Sequence, residues 1–474
     1  MAKGRNSVSA RFFQGLGLLR LSWMTIAMLV GVSAVVAQTV DAPTPKSSPS
    51  VKGSSSVKER FLVSKYPDKP SVPPTLSVPI DTLGFSAPGE FYLGTRITQA
   101  SLDFLGEDRL LFTFRVPGLL HRDAGSDDAS DERKIRAVVI KLPQGTIETQ
   151  TEWTLHDRLR YLWMLGDDHF LLRDRNLLSE GDATLALKPL LEFPGPLISI
   201  ELDPKQRYLV ADSHEPEAKA DAVADKDKAG QVASPATASA SVKTDDDTEA
   251  KDLAPPDYIV RILRRDSGQV MLVSRTRAGV HLPMNSAGYV ENLRGEGLAW
   301  ILSMKFFSGG SHLIGYVDSS CMPTDDFISD ELMLITSCAS TGDSKLMAMT
   351  TDGRTLWKTD APSTEVWPRM VGAQNGLRLA WETLDLNHTV TGFAPIGTED
   401  VKAQSVTVFD AATGDIALVA PLSPILDAGG NVAISASGRR VALLNAGTIQ
   451  VFDLPAPPDL TAITPATSTT RKAN

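Results

Sequence analysis

Few residues in this chain carry obvious chemistry. It has 474 residues but only two cysteines and seven histidines. Two cysteines exclude a disulfide-framework mini-protein and a cysteine-rich zinc site. None of the histidines falls in His-x-His or His-Glu-x-x-His, so no metal site is expected. A basic cluster is missing and the net charge is −10, which argues against nucleic acid as a partner. No stretch sustains a helical period beyond two turns, which argues against a helical fold. Past the N-terminal region no apolar run is long enough to cross a bilayer.

What is present begins with an N-terminal segment, 1–37, that reads as an export signal. Lys3, Arg5, Arg11 and Arg20 form a basic lead without an acidic residue, and Leu21 to Val36 is mostly apolar. Val35-Val-Ala37 offers a cleavage site after Ala37. The apolar run is short for a span, so cleavage is the expectation and a retained anchor the alternative. Removing the four basic residues from the total of 47, against 57 acidic ones, moves the net charge to −14. The expected location is the periplasm or the outside of the cell.

Export bears on the cysteines. Cys321 and Cys338 are the only pair, and an oxidising compartment makes a structural disulfide the expectation. Free buried thiols are the alternative. The spacing is too wide for a Cys-x-x-Cys redox site.

Residues 38–89 are rich in Pro, Ser, Val and Lys and read as a disordered linker. Residues 456–474 read as a disordered tail. Between them, 90–455 repeats one hairpin: apolar strand, glycine turn, apolar strand. It occurs at Tyr258 to Val273 around Asp266-Ser-Gly, at Lys345 to Trp357 around Asp352-Gly, and at Ser405 to Val419 around Thr413-Gly. Such turns supply the positive φ that closes a hairpin. Seven strand clusters recur about 40 to 60 residues apart, the spacing of four-stranded propeller blades. The expected fold is all-β, a seven-bladed propeller, with six or eight blades or a sandwich as alternatives. The stretch 214–256 has almost no large apolar residue and reads as a disordered surface insertion in the third unit. Asp123 to Glu132 is a smaller version. Phe91 to Thr98, with its alternating pattern, is the expected closing strand beside Ile449-Gln-Val-Phe452.

Some of these repeats resemble known families. Ile434-Ser-Ala-Ser-Gly with Arg439-Arg-Val-Ala-Leu-Leu-Asn resembles the strand pair of WD-like and YVTN-type propellers, and Leu202 to Ala211 is similar. Val408-Phe-Asp-Ala-Ala-Thr-Gly-Asp resembles their hairpin. Lys345 to Trp357 is similar to the tryptophan-docking repeat of quinoprotein dehydrogenases. The resemblance implies seven antiparallel blades around a channel and no particular chemistry. Only one repeat ends in the docking Trp, and that family's adjacent cysteines are absent. No cofactor residues are carried over, and no cofactor is expected.

A search for catalytic groups ends without a site. His156-Asp157 and Asp167-Asp168-His169 read as solvated loops. Gly309-Gly-Ser-His-Leu fails the nucleophile-elbow pattern at its last position and reads as a turn. Asp325-Asp326 follows Pro323 and reads as the end of a loop. Trp153, Trp163, Trp300, Trp357 and Trp381 lie in apolar patterns and read as core, whereas Trp367-Pro368 is a candidate rim surface. Asn387-His-Thr matches a glycan acceptor. No catalytic, cofactor or metal residue is nominated. The expected role is a monomeric, non-catalytic binding or scaffold module with a protein or glycan partner. A quinoprotein-like or glycan-active enzyme is the alternative. Convergent Arg, carboxylate and His side chains at the channel mouth would favour the enzyme.

Overall fold

A computed structural model describes residues 58–61, 67–85, 98–117, 121–122, 131–156, 159–214, 258–340, 343–361, 363–389, 396–426 and 430–458. The export segment and most of the tail lie outside the described residues. Seven antiparallel sheets follow one another around a ring. Consecutive strands of a blade run from the innermost outward, and the seventh blade takes its outer strand from nearer the N-terminus. Blade I runs Ala100–Leu105, Arg109–Arg115, Asp131–Lys141 and Thr146–Leu155. Blade II runs Leu162–Gly166, His169–Asp174, Leu177–Gly181 and Leu187–Glu192. Blade III runs Leu197–Leu202, Tyr208–His214, Tyr258–Arg264 and Val270–Thr276.

Blade IV has three regular strands, Gly288–Arg294, Ala299–Phe306 and Ser311–Asp318. Its innermost position is filled by residues 281–284, held through the Met284–Tyr289 bridge and Val290 N–H to the Pro283 carbonyl. Blade V runs Thr324–Phe327, Leu332–Cys338, Ser344–Thr350 and Thr355–Ala361. Blade VI has Glu365–Val366 and Met370–Gly372 innermost, then Arg378–Leu386, Val401–Asp410 and Ile416–Pro421. Blade VII runs Val432–Ile434, Arg440–Asn445 and Thr448–Asp453, and its outer strand is Leu76–Pro79.

Alternating apolar side chains explain why these strands stack as blades. Val406, Val408 and Leu418 of blade VI meet Val441, Leu443 and Phe452 of blade VII in one dry layer, and comparable layers separate other blades. The five tryptophans expected in the core are buried. The hairpin glycines Gly268, Gly353 and Gly414 all have positive φ, as the turn reading requires. At Gly353 a Cβ would lie 2.1 Å from the Ile314 carbonyl oxygen, so the turn also packs against blade IV.

The ring closes through an N-terminal strand, but a different one from that expected. Leu76–Pro79, inside the stretch read as linker, pairs antiparallel with Thr448–Asp453, Leu76 opposite Val451 and Val78 opposite Ile449. Phe91 to Ile97 lie outside the described residues. Pro79 is tolerated because an edge strand leaves one row of N–H groups unpaired. Upstream, Lys58–Phe61 adds in parallel to the outer strand of blade V, and Ser71 N–H bonds the Val419 carbonyl on blade VI. One strap therefore covers the outer edges of blades V, VI and VII.

The antiparallel order sorts the connections. Blade-to-blade crossovers and the second-to-third-strand connections share one face, here called the crossover face. The insertion joins His214 to Tyr258, which are paired neighbours on that face. Its own residues lie outside the described residues. Cys321, on the crossover from blade IV, is bonded to Cys338 at the end of a blade V strand, as expected, with Cα atoms 5.5 Å apart.

Candidate functional sites along the channel and outer edges

The inner strands line a central channel, and two groups of charged side chains face it. The first lies between blades III, IV and V. His281 Nδ1 is 2.7 Å from Glu201 Oε1, and Nε2 is 2.7 Å from the Asp325 carbonyl oxygen. Asp326 Oδ1 is 3.7 Å from Nε2. Burial opposes charging the ring, but the Glu201 carboxylate, Asp326 and the Asp325 carbonyl outweigh it and hold the pKa at about 10. The imidazolium thus ties three blades together, with both nitrogens engaged. A cavity of about 280 Å³ opens beside it, lined by Glu201, His281, Met284 and Asp326. Asp325 is fully buried, with the Asn292 side chain as its polar neighbour. Burial raises its pKa to about 7. Asp325 and Asp326 lie on the innermost strand of blade V, which corrects the reading of a loop end.

The second group lies at the crossover-face mouth, where blades I, II and VI converge. Arg369 Nη2 is 3.7 Å from Asp103 Oδ1, and Ser101 Oγ donates to Asp103 Oδ2 at 2.5 Å. Arg160 donates from Nε to the Leu162 carbonyl, and its guanidinium lies 5.1 Å from the Trp163 ring. A pocket of about 190 Å³ is lined by Thr98, Ser101, Arg160, Tyr161, Pro368 and Arg369. Under it, Glu382 is buried beside Gln404, and burial raises its pKa to about 8 against the pull of Arg369. Blade VII approaches so closely that a Cβ on Gly430 would lie 1.5 Å from Arg369 Nη1.

The structure thus separates the groups whose convergence would have favoured an enzyme: Arg and carboxylate sit at one place, His and carboxylates at another. Pro368 does line the mouth, but its neighbour Trp367 is half-buried against Trp381, ring centroids 4.8 Å apart. His156 pairs with Asp174, and His169 with Glu180. Gly309 and Gly310 form a positive-φ turn, as read. Asn387 donates to the Glu399 carbonyl. Among the described residues no metal-ligand cluster and no membrane-length apolar helix occurs.

The outer edges form a third candidate. Blade I presents a polar outer strand whose Glu148 and Glu152 pair with Arg109 and Arg136. Blade II's outer strand carries Lys188 and Pro189. Both devices blunt an edge. Blades III and IV carry Arg275 and Asp318 near the ends of their outer strands, but have more exposed apolar side chains beside them. Val270, Met271 and Val273 are exposed on one, and Leu313 and Tyr316 on the other, with Val273 56% and Tyr316 64% accessible. Among the described residues nothing pairs with these two strands.

No family model and no curated protein matches this chain. Solved structures do resemble it. An acylaminoacyl peptidase from Pyrococcus horikoshii aligns at 12% identity and TM-score 0.42, covering 79% of this chain and 55% of that one. The β-propeller domain of the trilobed protease from Pyrococcus furiosus, titled as having an open velcro topology, aligns at 10% identity and TM-score 0.41, covering 76% and 94%. TolB from Acinetobacter baumannii aligns at 10% identity and TM-score 0.34, covering 74% and 81%. This chain spans about half the length of the peptidase. The fold stands on the seven sheets described above.

Proposed function

We propose that this chain is an exported, monomeric, non-catalytic propeller of WD-like or YVTN-like repeats that binds a protein partner along blades III and IV. One observation carries the reading. Three outer edges are met by the chain's own strap, and among the four unpaired ones blades III and IV expose several large apolar side chains where blades I and II expose one each. Such edges accept an added strand, with main-chain hydrogen bonds for affinity and side-chain pockets for specificity. The test is a photoreactive residue placed at Val273 or Tyr316 in cells, with Ile147 on blade I as control. A discrete adduct from each of the first two sites is expected, with the Tyr316 adduct lost when Val273→Glu is added. Equal or absent crosslinking at all three sites would overturn the edge reading.

The enzyme reading keeps one observation in its favour. Asp325 is a buried acid with a pKa near neutrality, one residue from Asp326, which lines a cavity; a perturbed acid of this kind marks a general acid or base only where it reaches the cavity. Against it, His281 is held as a cation by its neighbours. If a glycan or alcohol substrate is found, Asp325→Asn should abolish turnover under the enzyme reading and leave edge crosslinking unchanged under the binding reading.

A further inference from the structure

Four arginines gather at the crossover-face mouth of a chain whose net charge is −10. Two of them serve the scaffold. Arg133 donates to the Thr98 carbonyl, and Arg173 to the carbonyls of Leu197 and Ile198. The other two do not. The Arg369 side chain is 15% exposed; its one ion pair among the described residues is with Asp103, at 3.7 Å and beyond hydrogen-bond distance, and the buried Glu382 lies within its electrostatic reach. Arg160 uses Nε alone, leaving its terminal nitrogens toward the pocket. A guanidinium carries five donors in a planar fork suited to a carboxylate. Arg369 cannot shift toward Gly430, where even a Cβ would collide with it.

A second observation points the same way. Thr98 is 2% exposed and lines this pocket, and its Oγ1 has no hydrogen-bond partner. A buried hydroxyl without a partner is destabilising unless something satisfies it. We infer that the mouth binds the free carboxylate of a peptide, C-terminal or side-chain, between Arg160 and Arg369, with the Thr98 hydroxyl as a further donor. Charge selects an anion: Arg133 and Arg173 are held by neutral carbonyls, so four guanidinium groups face one carboxylate, Asp103, and the mouth is positive. The planar fork of Arg160 and Arg369 suits a carboxylate, and the phosphate arm of the test below separates the two anions. The pocket of about 190 Å³ admits one terminal residue. This site is separate from the outer edges of blades III and IV and does not depend on them.

Titration calorimetry of the full chain against N-acetyl-trialanine, its C-terminal amide and inorganic phosphate tests the assignment. The free acid is expected to bind, and the amide to bind at least tenfold more weakly. Arg369→Gln and Arg160→Gln should each weaken the acid at least tenfold. Arg160 is exposed and rests on Trp163, so Arg160→Gln is expected to keep the wild-type melting temperature and to report on binding alone. Equal binding of acid and amide would overturn the inference. So would phosphate binding more tightly than the acid, or wild-type affinity in Arg160→Gln. Loss of edge crosslinking would leave this result untouched, and the reverse also holds.

Discussion

Glu382 lies on the second strand of blade VI with its Oε1 lacking any hydrogen-bond partner. Its carboxyl ionises near 4.5 when exposed, and burial raises that to about 8 in the fold. The folded state therefore holds the proton more tightly. The stability this contributes is complete below pH 4.5 and is lost as pH rises through 8. Glu382→Gln removes the ionisation and keeps the shape. Denaturant melts are expected to match wild type at pH 5 and to exceed it by about 1–3 kcal/mol at pH 9. An equal offset at both pH values would count against this account. Little of this chemistry was legible in the sequence. Trp367-Pro368 drew attention one residue short of Arg369, and nothing in its neighbourhood marks Arg369 as a partner of Asp103, which lies in another blade. Asp325-Asp326 read as a loop because Asp is depleted in strands and Pro323 precedes it. An inner propeller strand tolerates acids because its channel side is polar.

At the scale of elements, the hairpins were the clearest signal. Their glycines are local, and the apolar alternation on either side needs no distant information. The closing strand was not legible for the opposite reason. Leu76–Pro79 is four residues long and sits among prolines, so its pattern is weaker than that of Phe91 to Thr98, and only its pairing with Thr448–Asp453 defines it. The strap gives a graded expectation. A chain beginning at residue 67 loses only the parallel addition to blade V and should melt within a few degrees of the full chain. A chain beginning at residue 86 also loses Leu76 and Val78 from a cluster containing Ile449 and Val451. It should melt at least about 10 °C lower, or aggregate through the bare edge. Thermal scans with size-exclusion chromatography read both outcomes. Equal melting of the two truncations would mean that the outer strand of blade VII does not hold the ring.

At the scale of the whole molecule, the pairing on either side of residues 215–257 predicts that the ring folds without them. His214 and Tyr258 already pair across the point of entry, so the blade III sheet is continuous without residues 215–257. Deleting 218–252 is expected to leave the melting temperature within a few degrees, as read by circular dichroism. A loss of folded protein would show that the insertion packs on the ring. The blade count was legible because it follows from repetition along the chain. The two channel clusters were not, because each draws on three blades.

The strap has a further consequence, for timing. Thr75 bonds to Val451 across a separation of 376 residues, so the first secure strand of the ring waits for nearly the last. A chain made from its N-terminus must keep Leu76–Pro79 unpaired until blade VII has emerged. Six blades can condense locally, each from neighbouring hairpins, but the final docking step spans almost the whole length of the chain and is intrinsically slow. A chain cut short before Thr448 would have nowhere to place its N-terminal strand. Completion of synthesis is thereby written into the last contact the fold makes.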